Sequence, residues 1–195
     1  DSPRGYWLAS VLSEDPRVCT VDSHGLPDYW SASQPFLFKP ICFHISKSYG
    51  KNTMGMIKSF RGKYSFLSNF YTAPVAWEGI TYCNSEAAFQ SAKCVNQADR
   101  DAFAGLSASE AKRLGRQVKL RDDWELVKED VMYEICLSKF SQNTKLKEKL
   151  LLTGNDLLVE GNTCGDQFWG VVNGVGQNKL GKILMQVRDV LHNEE

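Results

Sequence analysis

Histidine is nearly missing from this 195-residue chain, which holds only His24, His44 and His192 and none between residues 45 and 191. That scarcity argues against Ser-His-Asp and Cys-His nucleophile arrangements, and against histidine-ligated metals, in the body of the protein. Any acid, base or nucleophile there has to come from Asp, Glu, Lys, Tyr or Cys. The six cysteines, Cys19, Cys42, Cys83, Cys94, Cys136 and Cys164, form no CxxC pair. Their scatter argues against a zinc site and a disulfide framework, and it suits a reducing cytoplasm. No apolar run approaches the length of a membrane span, and no charged head followed by an apolar stretch marks a signal peptide. Net charge is lacking as well: 23 Lys and Arg balance 23 Asp and Glu. There is therefore no overall basic field of the kind that non-sequence-specific nucleic-acid binders use, and any nucleic-acid contact must be local.

What is present is an ordinary globular composition, 43% hydrophobic and 24% charged, enough for one domain with a core plus an accessory piece. Residues 1–55 carry short aromatic and β-branched runs, such as Tyr6-Trp7-Leu8 and Phe36-Leu37-Phe38, broken by turn chemistry at Asp15-Pro16 and Ser23-His24-Gly25. They read as a small antiparallel β meander followed by a linker. The order Tyr-Trp-Leu, Val-Asp-Ser-His-Gly and Lys-Pro loosely resembles the closing strands of C-type-lectin-like domains, which implies a remnant of such a domain.

Residues 56–195 read as a mainly helical α+β domain with short strands. Ile57 to Phe60 and Tyr64 to Tyr71 suggest two strands. Val75 to Tyr82 suggests a hairpin turning at Glu78-Gly79. Short helices are expected over residues 98–103 and 109–114. A long helix from Trp124 to Phe140 is expected behind an Asp122-Asp123 cap, with Val127, Val131, Ile135 and Leu137 facing the core. Trp124, on its first turn, faces either core or cleft. A helix over Lys145 to Leu152, a strand over Leu157 to Glu160 and a helix over Lys179 to Leu191 complete the domain, the last with Leu180, Ile183, Leu184, Val187 and Leu191 inward.

Two stretches carry chemistry. Asn84-Ser85-Glu86-Ala87-Ala88-Phe89-Gln90-Ser91-Ala92-Lys93 opens a helix capped by Asn84 or Ser85, with Glu86, Phe89, Gln90 and Lys93 on one face. Taken alone, that face is a solvated polar stripe or one wall of a site. Gly165-Asp166-Gln167-Phe168-Trp169-Gly170 runs through further glycines to Asn178 and a helix start. Its glycines are turns and its aromatics core, or the loop lets backbone N–H groups approach a phosphate while Trp169 stacks on a base.

These stretches, together with Phe60-x-Gly62-x-Tyr64-x-Phe66-Leu67-Ser68-Asn69-Phe70-Tyr71, Leu114-Gly115-Arg116, Trp124-x-x-Val127-Lys128, Leu137-x-Lys139-Phe140 and Leu158-Val159-Glu160, closely resemble the NADAR, or YbiA-like, family. The resemblance runs in order over Ile57 to Leu191. It implies a compact α+β fold without cofactor or metal, and N-glycosidase activity. The implied substrates are ADP-ribose on guanine bases of DNA or RNA, or ribosylamine intermediates of riboflavin synthesis. A non-catalytic ADP-ribose-binding module is the remaining alternative. The family's functional positions fall on Glu86, Trp124, Asp166 and Trp169, with Lys93 and Asn69 also matching. Several members place histidine after the glutamate, where this chain has Ala87.

Breaking a C1′–N bond builds positive charge on the ribose and negative charge on the base. Glu86 is therefore expected as general acid/base and Asp166 as the group that holds ribose hydroxyls or activates water. Trp124 and Trp169 would wall the base, Asn69 would contact substrate, and the loop with Gly170 and Asn178 would seat a pyrophosphate. Lys93 has two expected roles, a point charge or a Schiff-base nucleophile.

Overall fold

The structure is a computed structural model that describes residues 54–193. The expected β meander of the N-terminal segment lies outside the described residues.

The chain enters through a two-residue strand, β1 (Met56–Ile57), and a 3-10 helix over Gly62–Leu67. The second strand expected over residues 64–71 is thus a helical turn. The Ser68 N–H donates to the Ser65 carbonyl, and consecutive Phe66 and Leu67 are both buried. A strand would send those neighbours to opposite faces, so tight winding is what buries them together.

A hairpin follows, β2 (Thr72–Trp77) and β3 (Ile80–Asn84), with alternating burial along β2. It turns at Glu78-Gly79, where both residues have positive φ (45° and 80°), as a two-residue hairpin turn demands. The hairpin hands the chain to α1 (Ser85–Ser91), and Asn84 caps it: its Oδ1 accepts from the Ala87 N–H at 2.8 Å. Every residue of α1 is buried, so the reading of its polar face as a solvated stripe does not hold.

Two short helices, α2 (Gln97–Asp101) and α3 (Ala108–Leu114), come next. Ser107 caps α3 in a full capping box with Glu110. The long helix α4 (Trp124–Gln142) buries Trp124, Val131, Met132, Ile135, Cys136, Lys139 and Phe140. Val127 and Leu137, expected inward, pack only partly buried against that core. The Asp123 side chain, expected to cap α4, makes no cap bond, because Arg121 engages both of its carboxylate oxygens at 2.6 and 2.9 Å.

After α5 (Thr144–Leu151), β4 (Leu157–Leu158) pairs in parallel with β1 and stops short of the expected end at Glu160. The last helix, α6 (Lys179–Asn193), buries all five apolar residues expected to face inward. The core is helical at heart, with α4 packed against β2, α1, α5 and α6. No helix among the described residues is long and apolar enough to cross a membrane.

Candidate active site

A cavity of about 740 Å³ opens where α1, the start of α4 and the loop after β4 meet. Of the residues expected to carry function, Asn69, Glu86, Lys93, Trp124, Asp166 and Trp169 all line it. They come from segments far apart in sequence, held by bonds both local and long-range.

Glu86 sits on the first turn of α1 with 7% of its surface exposed, and its backbone N–H donates to the Asn69 carbonyl at 3.1 Å. Its Oε1 accepts from the Gln90 Nε2 one helical turn on, at 2.8 Å. Burial pushes the Glu86 pKa above the ordinary carboxylate range, and the Gln90 hydrogen bond and the charges of Lys112 and Lys93 pull against it. Gln90 in turn lies against Gly115, where any side chain would collide with its amide.

Lys93, just past the end of α1, is half-buried. Its Nζ donates to the Gly115 carbonyl at 3.4 Å and stands 5.8 Å from the centre of the Trp124 ring. Burial lowers its pKa, with Glu86 opposing.

Asn69 is buried, and its Nδ2 points at the Met132 sulfur at 3.2 Å. The segment before it is held from below by Lys139. That side chain is 1% exposed and donates to the carbonyls of Phe66 and Ser68 at 2.7 and 2.9 Å.

The aromatic wall is continuous. Phe89 lies 5.1 Å from Trp124 and 5.3 Å from Trp169 between ring centroids, and Trp169 meets Phe168 edge to face at 5.0 Å. Trp124 is 6% exposed yet lines the cavity, so it is both core and cleft.

Asp166 is partly committed to its own loop, since its Oδ1 accepts from the N–H groups of Phe168 and Trp169 at 3.0 and 2.9 Å. Asn162 braces the same loop, accepting from the Asp166 N–H and donating to its carbonyl.

Gly170 and Asn178, expected to contact substrate, are not among the residues lining this cavity. Gly170 is buried and close-packed: a Cβ there would lie inside contact distance of the Glu160 carbonyl and 2.6 Å from the Asn162 Nδ2. Asn178 spends its amide on the main chain, accepting from the Glu160 N–H at 3.0 Å and donating to the Leu158 carbonyl at 2.8 Å. It borders a second, neighbouring cavity, which shares Arg61, Gly161 and Asn162 with the first.

Sequence reasoning passed over Glu160 and Lys112, which also line the main cavity. The signal for Lys112 was in the chain. Lys112, Arg113, Arg116 and Lys119 form a run without an acid among them, and no ion pair among the described residues engages them. A neutral total charge concealed that local basic run in the sequence.

Comparison with known proteins places this arrangement. The NADAR domain matches residues 46–192, beginning ahead of the boundary expected at residue 56. The N-glycosidase YbiA of Shigella flexneri serotype 5b is 39% identical over 132 residues, covering 66% of this chain and 82% of that protein. A riboflavin biosynthesis protein of Vibrio vulnificus is 36% identical over 132 residues, 66% of this chain but 36% of that longer protein. The NMR structure of the Escherichia coli protein YbiA superposes with a TM-score of 0.65 at 36% identity, covering 75% of this chain and 89% of that one.

Proposed function

The chain belongs to the NADAR family, and on that premise we propose that it is an N-glycosidase that removes ADP-ribose from guanine bases of nucleic acid. One observation carries the reading: a cavity in which carboxylates and a lysine stand beside a continuous aromatic wall. That combination matches the demands of C1′–N cleavage, in which the ribose gains positive charge while a flat base departs.

In this reading a base lies along Trp124 and Trp169. Glu86 carries proton transfer at C1′: held by Gln90 and facing Lys93 and Lys112, it has the partners that keep a buried carboxylate able to accept a proton from the attacking water. The second oxygen of Asp166 engages ribose hydroxyls, because its first is taken by the loop. Lys93 balances the anionic substrate or attacks the opened sugar; its lowered pKa serves the second role.

The basic residues that line the cavity, Arg61, Lys93, Lys112 and Lys128, support a phosphate-bearing strand as the carrier of the modified base. A base already modified or unpaired needs little further grip. The name of the Vibrio vulnificus relative supports a second reading, hydrolysis of a small ribosylamine by the same groups.

The test is incubation with an oligonucleotide bearing ADP-ribosylated guanine, in parallel with a ribosylamine phosphate, with chromatography of the products. Free ADP-ribose, released at a rate that falls with added salt, is the expected result. Release from the ribosylamine alone transfers the assignment to the second reading. Stabilisation by ADP-ribose without release from either substrate refutes catalysis.

A further inference from the structure

Departure of a nucleobase needs a proton for the base as well as a group to receive the proton of the attacking water. Glu86 serves the water in the reading above, which leaves the donor to the base unassigned. We propose that Glu160 is the catalytic acid that protonates the departing base, and that Gly170 and Asn178 are the mount that aims it. The proposal rests on the N-glycosidase reading of the site.

Glu160 follows β4 directly and lines the cavity. Its main chain is fixed on both sides: the N–H donates to the Asn178 Oδ1 at 3.0 Å, and the carbonyl accepts from the Val171 N–H at 2.8 Å. Gly170 closes the third side, since a Cβ there would lie 3.1 Å from the Glu160 Cγ and still nearer its carbonyl oxygen. Asn178 reaches its position with φ +52°, a left-handed conformation that Asn tolerates better than most residues, and its Nδ2 ties the mount back to Leu158. The glycine and the amide that looked like substrate contacts in the sequence therefore hold a carboxyl in place.

That carboxyl differs from Glu86. Oε1 of Glu86 has a donor in Gln90, whereas Oε2 of Glu160 is fully buried and has no partner. An ionised oxygen in that position lacks the hydrogen bonds that offset desolvation. Protonation of the carboxyl removes that cost, and its O–H is then offered to a nitrogen or oxygen of a base bound in the cavity that the side chain lines. The charged groups around it are Asp166 on the loop, Arg61 ahead of the 3-10 helix and Lys112 on α3. Burial first, then Asp166, push its pKa up to about 7, with Arg61 and Lys112 opposing. A donor of that pKa is matched to neutral pH.

The step balances. As the C1′–N electron pair leaves with the base, the Glu160 proton passes to the base. Water adds to C1′ and its proton passes to Glu86. The products are a neutral base and a sugar with a C1′ hydroxyl. Glu86 then releases a proton to solvent and Glu160 takes one up, so one water is consumed overall.

The experiment measures turnover and ADP-ribose affinity for wild type, Glu160→Gln and Glu160→Asp across neutral pH, with the ADP-ribosylated guanine oligonucleotide as substrate. Wild-type turnover is expected to fall as pH rises through about 7, where Glu160 loses its proton. Glu160→Gln should drop by roughly 10²–10⁴-fold and lose that descending limb while still binding ADP-ribose. Glu160→Asp should keep the limb at a lower rate. If Glu160→Gln fails to fold, seen as lost ADP-ribose affinity, the ¹³C titration of the Glu160 carboxyl in wild type decides: a midpoint in the ordinary carboxylate range overturns the proposal. An active wild type matched by Glu160→Gln, within about threefold and with the same pH profile, also overturns it. A wild type that releases no base overturns the N-glycosidase reading instead.

Discussion

Gly170→Ala separates packing from substrate contact at one methyl group. Gly170 is not among the residues with positive φ, so alanine meets no backbone strain there, and the change acts through space alone. The new Cβ would collide with the Glu160 carbonyl and lie 2.6 Å from the Asn162 Nδ2. A backbone carbonyl cannot swing aside as the end of a long side chain can, so the cost belongs at the upper end of overpacking, about 2–3 kcal/mol. Moving that carbonyl also strains the Val171 N–H bond to it, worth about 1 kcal/mol. Stiffening of the unfolded chain by alanine returns about 0.5–1 kcal/mol. The net is about 3 kcal/mol, which for a chain of this size lowers Tm by roughly 6–12 °C. Urea unfolding with an unchanged m-value, checked by thermal melting, reads it directly. Activity should fall with stability, because the displaced segment carries Glu160. A glycine that served as a ligand-approach point would give the reverse: a melting temperature within about 2 °C of wild type and a weakened KM. That outcome would refute the packing argument.

Three further outcomes bear on the site and its support. Glu86→Gln should keep ADP-ribose affinity and lose turnover by roughly two orders of magnitude or more; near-normal turnover removes Glu86 from the proton-transfer role. Borohydride added during turnover, followed by mass spectrometry, should trap an adduct on Lys93 if it attacks the opened sugar, and no adduct leaves it as a point charge. Lys139, lowered by burial to about 8 from 10.5, binds its proton less readily folded than unfolded. The share of stability from this group should therefore rise with pH from about 8 toward 10, by about 2–3 kcal/mol, and Lys139→Met should remove that share. Cys136, raised by burial to about 12 with the Lys139 charge opposing, acts in the opposite direction from about pH 9, as does Cys94, also raised by burial, and Tyr82 joins them near 10, so the Lys139 share is the difference between the two proteins. Urea titrations across the window measure the slope, and equal slopes in the two proteins would sink the assignment.

The helices were legible because their signals are local. Asn84 before the alanines, Ser107 with Glu110 three residues on, and the five inward residues of α6 each announce an element within one or two turns. The 3-10 helix was not, because an aromatic run such as Tyr64-Ser65-Phe66-Leu67 has the composition of a strand and only tertiary burial decides its winding. At the site, chemistry-bearing residue types were legible and their roles less so. Asp166 looked like a free carboxylate, yet one oxygen closes its own loop. Gly170 and Asn178 looked like a phosphate cradle because glycines before a helix have that signature, whereas what they cradle is the main chain of Glu160. Glu160 stood at the end of a short apolar run that carried part of the family resemblance, but no neighbour in sequence marked its carboxyl as functional.

The distribution of satisfied and unsatisfied polar groups ties these observations together. The buried amides and the buried lysine that hold the site's segments are engaged: Asn84 on Ala87 and Leu106, Asn178 on Leu158 and Glu160, Lys139 on Phe66 and Ser68. None of the three lines the cavity; Asn178 and Lys139 hold the backbone of Glu160 and Ser68, which do, and Asn84 holds Ala87 beside Glu86. Among the described residues, the buried side-chain atoms left without a partner are Ser85 Oγ, Gln90 Oε1 and Glu160 Oε2, and both Gln90 and Glu160 line the cavity. An orphaned buried polar atom costs about 1–3 kcal/mol, a large share of the stability of an ordinary domain. Gln90 Oε1 packs on Gly115, so of the two the carboxyl of Glu160 is the group that a ligand in the cavity would serve. A base bound in the cavity would supply an acceptor for the Glu160 hydroxyl. Substrate binding would thereby relieve a cost built into the empty site, and the gain is largest in the protonation state of Glu160 that the reaction requires. Affinity for a base-bearing ligand should accordingly weaken as pH rises through about 7, while affinity for ADP-ribose without the base should not.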